Sequence, residues 1–246
     1  MLKKTRGIVL RAVKYSETSV IVDVFTEGFG LRSYIVSGVR QAKSKVAAGL
    51  LQVMSLVEIV GYDKPDKLNR LREIHAAHVF TRLPFEVPRS SVGLFMVEVT
   101  QRAVRETEEN AELFQFLFDV FQFLDETETS FVNLHLAFLL ELSAHLGFQP
   151  HDETNNQQPI TNHQSTVFDL KNGIFTSETV GHPLFLTGKL TEILRGLLAT
   201  DWRESHVIKM NRDDRRQLLA ELVKFFQYHI DGFPELNSLK ILQEIF

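Results

Sequence analysis

Residues Gly28–Lys45 read GFGLRSYIVSGVRQAKSK. The run opens on a glycine-bracketed turn and continues as an alternating strand over Leu31–Ser37. It ends in a loop that carries Arg40, Lys43 and Lys45 and no acidic residue. A period of two sends alternate side chains to opposite faces of a sheet. Cations on a rigid strand framework suit a phosphate backbone. The same loop also reads as ordinary solvated surface, and spacing leaves both readings open.

The sequence on either side has the same character. Thr5–Val13, Val20–Phe25, Val53–Tyr62 and Leu68–Ala76 are rich in β-branched residues and are separated by turn-forming residues, including the run DKPDK. With Leu31–Ser37 they make five short strands within about 75 residues, which predicts a small barrel or curled sheet. Closure would remove the exposed edges of such strands. Gln41–Leu50 reads as a loop, a short helix or both.

The period changes near Pro84 and Pro88. Apolar residues then recur at helical spacing over Ser90–Arg105, Glu108–Leu124 and Phe131–Leu146, with Ser130 as a candidate N-cap and Gly147 as a stop. These helices predict a bundle closed by their aromatic faces. Gln149–His163 is polar, and Val167–Phe175 reads as a hairpin around Asn172-Gly173. Further helices are expected over Thr187–Leu198 and, capped by Asn211, over Asp213–Asp231, with an amphipathic tail over Ser238–Phe246. The expected domains are residues 1–80, a linker at 81–88, and a helical domain at 89–246 with a polar insertion at about 149–185.

Composition narrows the function classes. The chain has no cysteine, which excludes disulfides, thiolate catalysis and cysteine-built zinc sites. Its net charge of −4 conceals an asymmetry. Residues 1–80 hold 13 Lys and Arg against 7 Asp and Glu, a balance of +6, whereas the remainder holds 14 against 24, a balance of −10. A basic module joined to an acidic one follows. No run of 18 apolar residues suggests a membrane span, and the basic start MLKKTRG leads into strand-like sequence rather than a signal-peptide core, so a cytoplasmic protein is expected. Nucleotide-binding glycine fingerprints, phosphate-loop lysine motifs and G-x-S-x-G elbows are absent, which argues against an enzyme. His145, His151, His163 and His182, with Asp152 and Glu153 nearby, match no compact metal motif, and no metal or other cofactor is expected. The 20 phenylalanines read mainly as core.

Taken together, GIVLRAVKYSETSVIVDVFTEGFG, SGVRQAKSK and the late run RRQLLAELVKFFQYHIDGFPELNSLKILQEIF resemble the RecO family of bacterial recombination mediators over nearly the whole chain. The resemblance implies an α+β protein: a five-stranded OB-fold barrel followed by a mostly α-helical domain with a small, degenerate zinc-ribbon-like insertion. Many relatives carry four cysteines in that insertion, and none stands here. It implies binding of single-stranded and duplex DNA, strand annealing, and action with RecR. It also implies contact with the acidic C-terminal tail of single-stranded-DNA-binding protein, so that recombinase is loaded onto covered DNA during repair at the nucleoid. The DNA surface it implies falls on Arg40, Lys43 and Lys45, with Arg6, Arg11, Lys14 and Arg32 in addition. Tyr15, Phe25, Phe29 and Tyr34 are the candidates for stacking on bases. The competing expectation is a protein-interaction adaptor whose barrel has no major DNA role.

Overall fold

The structure, a computed structural model, describes residues 2–39, 48–64, 67–105, 107–152, 167–177 and 180–246. Alternation in the N-terminal sequence becomes five strands: β1 (Leu2–Lys14), β2 (Val20–Thr26), β3 (Gly30–Val36), β4 (Leu56–Tyr62) and β5 (Asn69–Ala76). They close in the order β1-β2-β3-β5-β4. All pairings are antiparallel except β3–β5, where Tyr34 lies beside Asn69 and Ile35 beside Arg70. This is the five-stranded OB barrel implied by the resemblance. Of Gln41–Leu50, the part from Ala48 begins a 3-10 turn, Ala48–Leu51, and the rest lies outside the described residues.

The barrel interior is filled by Val9, Val22, Val24, Tyr34, Val36, Val57, Ile59, Leu71 and Ile74. Each such side chain contributes about 1.5–3 kcal/mol by leaving water. Tyr34 is the largest of them, and Gly61 makes room for its ring: a Cβ at Gly61 would stand 2.8 Å from Tyr34 Cε1. Burial pushes the Tyr34 hydroxyl up to about 12, with the Asp63 charge acting in the same direction.

One irregularity in β1 positions the site. The register with β2 shifts between Val9 and Arg11, so Leu10 is an extra residue. Such a bulge resets the alternation of the strand. Val9 is therefore inside the barrel, while Arg11 and Val13 stand opposite Asp23 and Ile21 on the outward face. Without the bulge, Arg11 would take an inward position.

Two helices belong to the same compact unit as the barrel, residues 1–126: α1 (Val87–Ala103) and α2 (Ala111–Glu126). Proline in the first turn fixes the start of α1, because its missing N–H has no helical partner there. α1 packs on β1 and α2, and Phe114 of α2 meets Phe25 at 6.1 Å between ring centres. The segment ahead of α1 is tied down by Asp125, which is 1% exposed. Its carboxylate accepts from the backbone N–H groups of Arg82 at 2.8 Å, Leu83 at 2.7 Å and Thr81 at 3.1 Å. Burial opposes its ionisation, but these N–H groups and His78 outweigh that and hold the carboxyl below its ordinary range.

Residues 127–246 form the second compact unit. It holds α3 (Leu134–His145), a small sheet, α4 (Lys189–Leu198), α5 (Arg212–His229) and α6 (Ser238–Ile245). Helix α3 begins three residues later than expected; Asn133 rather than Ser130 occupies the cap position, without a side-chain capping bond. The Asn133 amide instead donates to Ser205 O and Ile208 O, both at 2.9 Å, and accepts from Arg215 Nε. Tertiary partners displaced the local cap. Asn211 does cap α5, accepting from Asp214 N at 2.8 Å.

The expected insertion contains β6 (His151–Asp152), β7 (Val167–Asp169), β8 (Ile174–Thr176) and β9 (Phe185–Leu186), in the order β6-β8-β7-β9. Asp169 closes the β7–β8 turn, accepting from Lys171 N and Asn172 N on one oxygen and from the Asn172 amide on the other. Phe168 and Phe175 pack at 4.8 Å, and Phe168 reaches Phe225 of α5. Hydrogen bonds and aromatic packing hold the described part of this sheet together.

Candidate nucleic-acid interface

The outward surface of β1, β2 and β3 gathers residues from separate parts of the chain. One row across the strands is Arg11, Asp23 and Ser33; the next is Val13, Ile21 and Ile35, extended to Arg70 on β5. The first row forms the floor of a groove of about 500 Å³ whose walls include Ile21, Leu31, Lys67 and Leu68. OB folds use this strand face, flanked by the β1–β2 and β4–β5 loops, for oligomeric ligands.

Short-range bonds hold the described residues of both loops. In the β1–β2 loop, Tyr15 N and Ser16 N donate to Ser19 O, and Ser19 N donates back to Ser16 Oγ. That turn presents Tyr15, which is 62% exposed, next to the exposed Lys14. Val39 N donates to Thr18 O at 3.0 Å, joining this loop to the chain leaving β3. In the β4–β5 loop, the buried Asn69 amide accepts from Lys64 N and donates to Lys64 O and Lys67 O at 2.9–3.0 Å. The backbones of Lys64 and Lys67 are thereby tied to Asn69, with both residues exposed.

The expected DNA residues divide into distinct groups. Arg40, Lys43 and Lys45 lie outside the described residues. Arg11 is exposed on the face, at 3.3 Å from Asp23, and Lys14 is exposed at the end of β1. Arg6 makes a two-pronged pair with Glu27 at 2.9 and 2.6 Å, donates to Gln115, and lies over the rings of Phe114 and Phe118. Its hydrogen bonds to Glu27 hold that carboxyl below the usual range. Arg32, 8% exposed, donates to Asp63 Oδ1 at 3.0 Å and to the carbonyls of Leu31 and Thr107. Asp63 also accepts from Lys3; burial opposes its ionisation, but both cations outweigh that and keep its pKa low. The guanidinium groups of Arg6 and Arg32 are thus engaged within the unit.

The stacking candidates divide in the same way. Phe25 and Tyr34 are 0% and 1% exposed and offer no ring face to a base. Phe29 is half-buried with Lys3 Nζ over its ring at 4.4 Å. Tyr15 presents an open ring. Residue-by-residue reading missed Lys64, Lys67, Arg70 and Arg72. The signal lay in NRLRE, where alternation places Asn69 and Leu71 inside and Arg70 outside. Among the described residues, no group of three His, Asp or Glu side chains is placed to hold a metal ion, and no helix is long and apolar enough to cross a membrane.

The strand order and the parallel β3–β5 closure define an OB-fold protein followed by a helical region. Comparison with known proteins makes this narrower. A family model described as Recombination protein O N terminal matches residues 1–80, and one described as Recombination protein O C terminal matches residues 84–240. The chain belongs to the RecO family. It is 34% identical over 247 residues to the DNA repair protein RecO of Phocaeicola vulgatus and 35% identical over 248 residues to that of Bacteroides fragilis, with 100% of each chain covered. The RecO of Alkaliphilus metalliredigens is 29% identical over 252 residues, again with 100% of each chain covered.

Proposed function

We propose that this protein is a non-enzymatic recombination mediator of the cytoplasm and nucleoid, whose barrel binds single-stranded and duplex DNA and promotes annealing. The observation that carries the reading is the outward barrel face, where Arg11 and Arg70 are exposed on a partly apolar strand surface and Lys14, Lys64 and Lys67 are exposed at strand ends and in the adjoining loop. Cations there neutralise phosphates and release counterions, while Tyr15 and Phe29 are the rings available for base stacking. Two complementary strands drawn to one positive surface repel each other less, which favours annealing. Arg40, Lys43 and Lys45 are further phosphate contacts in this proposal. Family membership supports action with RecR, and contact with the acidic tail of single-stranded-DNA-binding protein to load recombinase, as further parts of this proposal.

The test is a salt titration of binding and annealing of labelled DNA. Replacing Lys64, Lys67 and Arg70 together with alanine removes three phosphate contacts and lowers the log–log salt slope by about 2 for single strands. From 50 to 200 mM salt the variant then loses roughly twentyfold less affinity than the parent. A slope equal to the parent's removes these residues from the interface. Absence of both binding and annealing in the parent at low salt ends the DNA reading and favours a protein adaptor.

A further inference from the structure

The proposed DNA face contains an anion. Asp23 stands in the middle of the row Arg11–Asp23–Ser33, directly opposite one neighbour on each adjoining strand. Ser33 Oγ donates to Asp23 Oδ1 at 2.6 Å, and Arg11 Nη1 reaches Oδ2 at 3.3 Å. The first bond is short and fixes the carboxylate; the second is longer than an optimal charge-assisted bond. A surface that only tracked phosphates would bind better without a negative charge at its centre. A carboxylate, however, is an acceptor with about four lone-pair positions. The two bonds above leave lone-pair positions unused, and Asp23 lines the groove.

That groove, of about 500 Å³, has apolar walls at Ile21 and Leu68 and a cation at Lys67. A volume of this order suits a small flat ligand buried between apolar walls and oriented by a few polar groups. We propose that it is a base-sensing subsite, taking one unpaired nucleobase whose exocyclic amino group donates to Asp23. Arg11 and Lys67 hold the flanking phosphates, and Ser33 is a positioning residue that keeps the carboxylate aimed. The subsite rests on the DNA-binding reading and deepens it. Cytosine carries an amino donor where thymine carries a carbonyl acceptor, so the carboxylate attracts the first and repels the second. In a duplex the amino groups are already paired and the bases stacked, so the subsite acts on single strands only.

The test uses the full-length protein and two labelled oligomers of equal length, oligodeoxycytidine and oligothymidine, titrated by fluorescence anisotropy near neutral pH. One charge-assisted hydrogen bond at one base predicts about tenfold tighter binding of the cytosine oligomer. Asp23→Asn presents an N–H as well as a carbonyl, and erases the preference; Ser33→Ala narrows it. Equal binding of both oligomers by the parent protein overturns the subsite and leaves the DNA-binding reading intact. Failure to bind either one overturns the DNA-binding reading itself. If Asp23→Asn tightens both oligomers by the same factor, Asp23 is only a repulsive charge and the subsite is refuted. The parent's cytosine-to-thymine ratio decides the matter even if a variant folds poorly.

Discussion

Asp125→Asn tests how the segment between barrel and α1 is held. In the parent, Oδ1 accepts from Arg82 N at 2.8 Å and Leu83 N at 2.7 Å, while Thr81 N lies 3.1 Å from each oxygen. An asparagine with its carbonyl in the Oδ1 position keeps two of these bonds but makes them neutral, a loss of about 1 kcal/mol each. Its NH₂ then faces the Thr81 N–H and hydroxyl, which lose their Oδ2 acceptor and leave the Thr81 N–H only its 3.1 Å bond to the carbonyl, a further loss of about 1 kcal/mol. The total, about 3 kcal/mol, corresponds to roughly 150-fold faster exchange of the Thr81, Arg82 and Leu83 amides if they open locally. Native-state hydrogen exchange read by mass spectrometry on peptides covering 78–86 measures this. The pH dependence gives a second check. The Asp125 carboxyl is held below its unfolded value, so its contribution is complete above about pH 4–5 and is lost as pH falls through the folded pKa. The gap between parent and variant therefore closes in acid. Unchanged protection of the three amides at neutral pH would refute the assignment.

Arg6→Ala removes the Glu27 pair, the Gln115 bond and two ring contacts, yet a third of the side chain is exposed, so the loss is about 1–2 kcal/mol in urea unfolding. The DNA salt slope should stay at the parent value; a fall of about 0.7 would make Arg6 a phosphate contact instead. Gly61→Ala sets a Cβ 2.8 Å from Tyr34 Cε1 and should destabilise the barrel by about 1–3 kcal/mol, seen as a lower urea midpoint by far-UV circular dichroism. His135 is wholly buried, and burial, helped by the Arg215 charge, lowers its pKa to about 3. The neutral ring must charge on unfolding in acid, so stability of the second unit falls as pH drops below about 6.5, by up to about 1.4 kcal/mol per unit. Trp202 fluorescence follows that unit, and His135→Gln should flatten the profile between pH 6.5 and 4.

Much of this was legible in the chain alone. Strand positions were plain because a barrel wall buries alternate residues, so Val22, Val24, Tyr34, Val36 and Ile59 had to recur at period two. The change to helical spacing after Pro84, the Asn211 cap and the charge division were equally local. The order of closure and the groove were not, because they depend on which strands meet. The β1 bulge shows why: a residue inserted at Leu10 turns Arg11 to the face it shares with Asp23 and Ser33, and no alternation count reveals it. Tyr34 and Phe25 read as stacking rings by type and proved to be core. The resemblance implied Arg6 and Arg32 as parts of the DNA surface, and their partners Glu27, Gln115, Asp63 and Thr107 lie 21 to 109 residues away. Local chemistry sets what a segment can form; long-range pairing decides which of its side chains remain available to a ligand.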